Sequence, residues 1–173
     1  MSKTIINNIL IFVVLVIAQA LIFNNLVLFN TAVALVFIYF IIELPITVSI
    51  NTLLTFSFLM GLSVDVFQDT TGLNALCCTI LAFIKRPIFQ LFVPRDEDFS
   101  NKQLSINTLG HSTYSKYMFF MVLIYCVLYF VIEAINYTDV QRTFLRILSS
   151  TAYTYIVIYA LDSLTLTTRE KRL

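Results

Sequence analysis

One stretch of the chain combines small side chains with carboxylates at helical spacing. Ser57, Gly61 and Asp65 follow one another at intervals of four residues, and Asp69 continues the series. Residues four apart share one face of a helix. Small residues let membrane helices approach closely, and acids within such helices usually face protein or water. The stripe predicts a partner-binding or ion-binding face. The alternative is an internal packing face, with Asp65 at headgroup level and Asp69 capping the next helix.

Other ionisable residues also lie in or beside apolar stretches. Lys85 and Arg86 could bind anionic lipid or an acidic group of a partner, or could extend to the inner membrane surface along their apolar stems. Glu43 and Glu133 could relay protons, or could lie at helix ends in contact with water. His111 is the single histidine. Because no other potential metal ligand lies near it in the sequence, we predict that His111 is a solvated loop residue and not part of a metal site.

The sequence contains no arrangement typical of a known catalytic centre. It has no Gly-x-Ser-x-Gly elbow, no P-loop and no GxGxxG motif. A lipid-modifying membrane enzyme would need paired acids, and only Asp65 and Asp69 have suitable spacing. No cofactor is predicted.

The composition predicts that lipid surrounds most of the chain. Of its 173 residues, 59% are hydrophobic and 12% are charged, whereas a soluble domain carries about 25% charged residues. The mean hydropathy is +0.88. Long continuous apolar runs favour helices over a barrel, because barrel strands alternate over short segments. The predicted fold class is an all-α integral membrane protein.

Six apolar stretches have the length of membrane-spanning helices, which is about 20 residues. They predict one domain, residues 1–173, that forms a six-helix bundle. The fourth stretch is interrupted at Pro87, after which it either continues with a kink or lies along the interface. The predicted helices cover about residues 5–23, 26–44, 47–67, 73–92, 117–135 and 144–161.

The distribution of basic residues predicts the orientation of the bundle. Cytoplasmic segments are rich in Lys and Arg. If both termini are in the cytoplasm, Arg142 and Arg146 are the only basic residues on the outer side of the membrane. The segments then placed inside hold Lys3, Lys85, Arg86, Arg95, Lys102, Lys116, Arg169, Lys171 and Arg172. The turn that holds Asp69 would then face outward.

The third and fourth predicted helices carry a short motif. A Gly-x-x-x-Asp pair, Gly61 and Asp65, ends one helix, and Gly72-Leu-x-Ala75 opens the next. This pattern resembles the rod shape-determining protein MreD family. Arg86-Pro87 also resembles a recurring feature of that family. The length, helix number and predicted orientation fit the family over nearly the whole chain.

The resemblance implies a non-catalytic subunit of the bacterial cell-elongation (rod) complex in the inner membrane. Such a subunit would bind MreC directly and help to couple MreB filaments to the elongation transpeptidase and RodA, and so to peptidoglycan synthesis and cell shape. The fold of the family resembles the six-helix S-components of energy-coupling-factor transporters. Binding of a small molecule such as a vitamin is therefore the alternative function. If the chain is a subunit of the rod complex, the candidate residues for partner binding or helix packing are Ser57, Gly61, Asp65, Asp69 and Gly72.

Overall fold

Helices form most of the part of the chain that can be described. In this computed structural model that part is residues 2–23, 32–93, 109–134 and 140–170, with side chains over residues 9–163 of those ranges. Residues 24–31, which include the start of the second predicted helix, and residues 94–108, which lie between the fourth and fifth predicted helices, are outside it. The helices are α1 (Ser2–Ala18, continued by a π-helix, Gln19–Phe23), α2 (Ile38–Glu43), α3 (Ile50–Gln68), α4 (Leu73–Phe92), α5 (His111–Ala134) and α6 (Val140–Glu170).

The chain is an all-α membrane helical bundle. Four described helices are long and apolar enough to cross a membrane: α3, α4, α5 and residues Val140–Ser163 of α6. A shorter apolar helix covers Ile9–Phe23. Large apolar side chains on the outer faces of these helices are exposed and suit contact with lipid. They include Leu10, Leu62, Phe83, Val131 and Ile156.

The long helices pack on one another in chain order, α3 on α4, α4 on α5 and α5 on α6. The short helix α2 contacts α1, α4 and α5. Every residue from Ala34 to Leu44 is buried. The segment that contains α2 therefore runs through the middle of the bundle.

The prediction of one continuous helix over residues 26–44 is wrong in its described part. Residues 32–37 are not helical, and α2 is only six residues long. Leu44, which precedes Pro45, has a non-helical ψ of 138°, because proline disfavours the helical conformation in the residue before it. Residues 32–42 are continuously apolar and do not reveal the break, since a buried extended segment and a buried helix have the same composition.

Other helix bounds differ from the prediction mainly at polar ends. Helix α5 begins at His111, six residues before the apolar stretch, and α6 runs on to Glu170. Hydropathy marks the part of a helix that lies in lipid and does not mark its polar ends. Helix α4 continues through Pro87 to Phe92, so the segment after Pro87 is part of the helix.

Candidate functional site

The motif residues meet where α3 packs against the start of α4. A Cβ atom on Gly61 would lie 2.4 Å from the carbonyl oxygen of Asn74 and 2.5 Å from the Cα of Ala75. Only glycine leaves room for this backbone contact. Gly61 is therefore buried inside the chain's own helix pair.

The carboxylate of Asp65 caps the N-terminus of α4. Asp65 is 2% exposed. Its Oδ1 accepts the backbone N–H of Asn74 at 3.0 Å, and its Oδ2 accepts that of Ala75 at 2.8 Å. The hydroxyl of Thr70 also donates to Oδ1. A helix N-terminus leaves backbone N–H groups unpaired and carries partial positive charge, so a carboxylate is well suited to this position.

Asn74 joins this cap to a third helix. Its Nδ2 donates to Oδ1 of Asp65 and to Oε1 of Gln68, both at 3.0 Å. Its Oδ1 accepts the hydroxyl proton of Tyr125 on α5 at 2.8 Å. Asn74 and Tyr125 are both fully buried. Sequence reasoning missed both, although a polar side chain in the first turn of an apolar helix was a usable signal for Asn74.

The other residues of the predicted stripe have different positions. Asp69 is exposed and ends α3 in the left-handed conformation, with φ 52°. The expectation that Asp69 caps the next helix is wrong, because Asp65 supplies the cap. Gly72 also has a positive φ, 85°, which an L-residue with a side chain rarely adopts. Ser57 is fully buried, and its Oγ has no hydrogen-bond partner within the described residues.

The arrangement around Asp65 stabilises the fold and leaves little free chemistry. Both carboxylate oxygens already accept hydrogen bonds from the turn or from α4. Asp69 is the C-cap residue of α3, and its side chain is exposed. The two acids therefore do not form the buried pair that acid–base work on a lipid would need.

Lys85 and Arg86 bind backbone carbonyls at the other end of α4. The ammonium of Lys85 is fully buried and donates to the carbonyl oxygens of Ile41, at 2.7 Å, and of Leu44. These carbonyls belong to the last turn and the C-cap of α2, where a cation is favourable. Neither the lipid-binding nor the surface-reaching interpretation fits the buried Lys85.

The guanidinium of Arg86 extends the same arrangement to the connection between α2 and α3. Its Nη2 donates to the carbonyl oxygens of Ile46, at 3.3 Å, and Val48, at 2.7 Å. The two neighbouring basic residues therefore pair four carbonyls, two each. This pairing fixes the irregular chain around Pro45.

Side chains from two helices hold the non-helical segment 32–37. Gln19 is fully buried; its Nε2 donates to the Ala34 carbonyl, and its Oε1 accepts the Val36 N–H, both at 2.9 Å. From α6, the hydroxyl of Thr154 accepts the N–H of Leu35 at 3.0 Å. Ser150 accepts the N–H of Val33 at 3.1 Å. Backbone polar groups must be paired inside a membrane protein, and these side chains do so. Sequence reasoning missed all three.

The remaining candidate residues lie apart from the motif. Glu133 forms an ion pair with Arg146, with N–O distance 3.2 Å. His111 is exposed, and its Nδ1 lies 3.2 Å from the hydroxyl of Tyr159. Glu43 is buried and close enough to Lys85 for an electrostatic interaction. Within the described ranges, no three His, Cys, Asp or Glu side chains are grouped so that they could hold a metal ion.

No family model, no curated protein and no solved structure matches this chain.

Proposed function

We propose that this chain is a non-catalytic membrane subunit of the bacterial cell-elongation complex. In this proposal it lies in the inner membrane with both termini in the cytoplasm and binds MreC directly. MreB filaments, the elongation transpeptidase and RodA belong to the same complex. The observation that carries the proposal is that the residues of the MreD-like motif form one contact, with the carboxylate of Asp65 occupied by the start of α4.

The four motif residues have complementary roles in that contact. Gly61 permits the backbone of α3 to touch α4 at Ala75, and Asp65 caps α4 by accepting N–H groups that include that of Ala75. Gly72 provides the positive φ that ends the turn. A motif that closes a helical hairpin in this way supports an architectural role. It gives no support to a catalytic one.

The position of Gly61 changes the expected place of the partner contact. Helix α4 already covers the Gly61 and Asp65 face of α3, so a partner helix cannot pack there. The proposed contact lies instead among the exposed apolar side chains on the outer faces of the bundle. One such side chain is Leu62, beside Gly61 in the sequence and 40% exposed.

Co-purification with MreC from the same genome tests the proposal. The two proteins are co-expressed, extracted in a mild detergent and separated by gel filtration, with the amount of each quantified. We expect a complex of fixed stoichiometry. Failure of MreC to co-elute, while this chain remains monodisperse and helical, would contradict the proposal.

One further outcome distinguishes the proposal from its alternative. A vitamin that co-purifies in stoichiometric amount, with no MreC bound, would favour an S-component-like ligand-binding subunit. The variant Leu62→Ala probes the proposed contact itself, because it truncates an exposed apolar side chain and keeps the α3–α4 contact intact. Gly61→Leu is not a useful probe of the partner contact, because it disrupts the hairpin itself.

A further inference from the structure

An apolar groove lies between α1, α2 and α3 and has a volume of about 310 Å³. Every side chain that lines it is a hydrocarbon without a hydrogen-bonding group. We call it the α1–α3 groove. The residues of α1 and α3 that line it are Ile9, Phe12, Val13, Phe56 and Leu59.

The groove has a buried floor and an open rim. Phe40 and Leu44 form the floor, and both are buried. The rings of Phe40 and Phe12 meet edge to face, with centroids 5.5 Å apart. The rim residue Ile9 on α1 is 51% exposed, and Phe56 on α3 is 37% exposed. An apolar cavity of about 150 Å³ stays dry and binds hydrocarbons, so we expect hydrocarbon to fill this groove.

The groove begins below one membrane surface and leads toward the centre of the membrane. Helix α3 has 19 residues and is about 28 Å long, close to the thickness of the hydrocarbon core. Its first residue, Ile50, therefore lies near a surface, and Phe56 and Leu59 lie about 9 and 14 Å further along. An acyl chain of a phospholipid occupies the same depth. Exposed polar side chains mark the surface end, at Thr47, Ser49, Asn51, Thr52 and Thr55.

A cation lies at the surface end of the groove. Nη2 of Arg86 donates to the carbonyl oxygen of Ile46, two residues after the floor residue Leu44, and two residues span at most about 7 Å. Both acceptors of Nη2, at Ile46 and Val48, are backbone carbonyls, which do not neutralise the guanidinium charge. Nε of Arg86 is buried and has no partner within the described residues. A buried group of this kind commonly marks an unseen water or ion.

We propose that the α1–α3 groove binds one acyl chain of an anionic phospholipid, whose phosphate lies beside Arg86. The groove accepts the hydrocarbon, and the charge of Arg86 favours the anionic headgroup. Of the two neighbouring basic residues, only Arg86 suits this role, because the ammonium of Lys85 is fully buried against carbonyls of the α2 segment. The lipid connects α1 to α3 and covers Phe40 and Leu44. The proposal is independent of the proposed function, because it involves no protein partner.

Native mass spectrometry of the full chain tests the proposal. The chain is released from a mild detergent that contains equal amounts of phosphatidylglycerol and phosphatidylcholine with identical acyl chains. We expect one retained lipid per chain, with the anionic lipid favoured about fivefold, as one basic residue near the membrane surface would give. Retention of both lipids in equal amounts, or of neither, would overturn the proposal. This comparison uses the unmodified chain and does not depend on the folding of any variant.

Two matched tryptophan variants locate the acyl chain. Leu59→Trp fills the groove, whereas Leu76→Trp makes the same change at a similarly exposed position on α4. Each buried methylene contributes a factor of about four, so displacing two of them lowers lipid retention more than about tenfold. We expect this loss in Leu59→Trp and wild-type retention in Leu76→Trp. Equal retention in the two variants would show that the lipid is bound elsewhere and would overturn the proposal.

The variant Arg86→Gln tests the headgroup contact separately. It removes the charge and leaves the groove unfilled, so the ratio of retained anionic to neutral lipid should fall to about one. A folded Arg86→Gln protein that kept the fivefold preference would contradict the position of the phosphate.

A helix of a second copy or of another protein is the competing occupant of the groove. If Leu59→Trp abolished self-association or binding of MreC and left lipid retention unchanged, the groove would be assigned to a protein helix, and the lipid proposal would be overturned. Because the lipid measurement contains no MreC, its failure would leave the proposed function untouched.

Discussion

Gly61 of α3 lies directly on the backbone of Ala75 in α4, with no space for a side chain between the two helices. A methyl group at position 61 would come within 2.5 Å of the Ala75 Cα. The hairpin of α3 and α4 is therefore built around one glycine. The carboxylate of Asp65 closes the same hairpin one turn further on.

Replacing Gly61 with alanine should separate α3 from α4. Inserting atoms into a closely packed contact costs about 1–3 kcal/mol, and here the obstacle is backbone, which cannot rotate away. We expect a clear loss of thermal stability in detergent. It can be measured by circular dichroism or by the reaction of cysteines with a thiol-reactive dye during heating. Ser57→Ala is the matched control on the same buried face. It removes a hydroxyl that has no partner within the described residues, and it should leave stability unchanged or slightly raised.

Replacing Asp65 with alanine should remove the cap of α4. The N–H groups of Asn74 and Ala75 would lose their acceptors, at a cost of about 1–3 kcal/mol. The variant should unfold at lower temperature or lower denaturant concentration. Asp69→Asn provides the control, because Asp69 is exposed and asparagine tolerates its left-handed conformation. Equal effects of the two substitutions would contradict the assignment of the cap to Asp65.

The motif contact was partly predictable from the sequence. The spacing of Gly61 and Asp65 indicated a shared helix face, and packing was one of its two interpretations. The sequence could not choose Asp65 over Asp69 as the cap, because that depends on where α3 ends. In the structure α3 ends at Asp69, which has a left-handed conformation and an exposed side chain. Asp65 is therefore the acid that caps α4.

The irregular segment around α2 was not predictable in the same way. Its residues are as apolar as those of a spanning helix, and the side chains that stabilise it come from distant positions. Gln19 and Thr154 have no sequence pattern that marks them as partners of residues 32–37. The sequence marks Lys85 as a basic residue in an apolar stretch. It does not mark the carbonyls that Lys85 binds, because they lie 44 and 41 residues earlier in the chain. Long-range pairing of this kind exists only after the helices have packed.

Replacing Lys85 with methionine should destabilise the end of α2. The carbonyls of Ile41 and Leu44 would lose their donor, and each unpaired buried acceptor costs about 1–3 kcal/mol. We expect a lower unfolding temperature in detergent. Lys116→Met is the same change at an exposed position of α5 and should have little effect. If both variants were as stable as the wild type, the buried ammonium would not be needed to pair these carbonyls.

Replacing Gln19 with leucine should loosen residues 32–37. The variant loses two hydrogen bonds to that segment, one to Ala34 and one from Val36. Hydrogen–deuterium exchange of the peptide that contains Val36 should become faster, while exchange in α4 and α5 stays the same. Thr154→Val should accelerate exchange at Leu35 in the same way.

A control for these two variants lies on α6. Within the described part of the chain, the hydroxyl of Ser149 bonds only to carbonyls of its own helix, at Leu145 and Arg146. Ser149→Ala should therefore leave exchange in residues 32–37 unchanged. Unchanged exchange in Gln19→Leu would show that this side chain does not hold the segment.

Photo-cross-linking in living cells tests most directly whether the outer surface of this bundle binds MreC. A photoreactive amino acid is placed at one lipid-facing position on each long helix, in cells that contain MreC and in cells that lack it. Cross-links to MreC from positions clustered on one face, absent without MreC, are the predicted result. A correctly folded protein that gives no MreC cross-link from any of these faces would contradict the account. The positions are Leu62, Phe83, Val131 and Ile156.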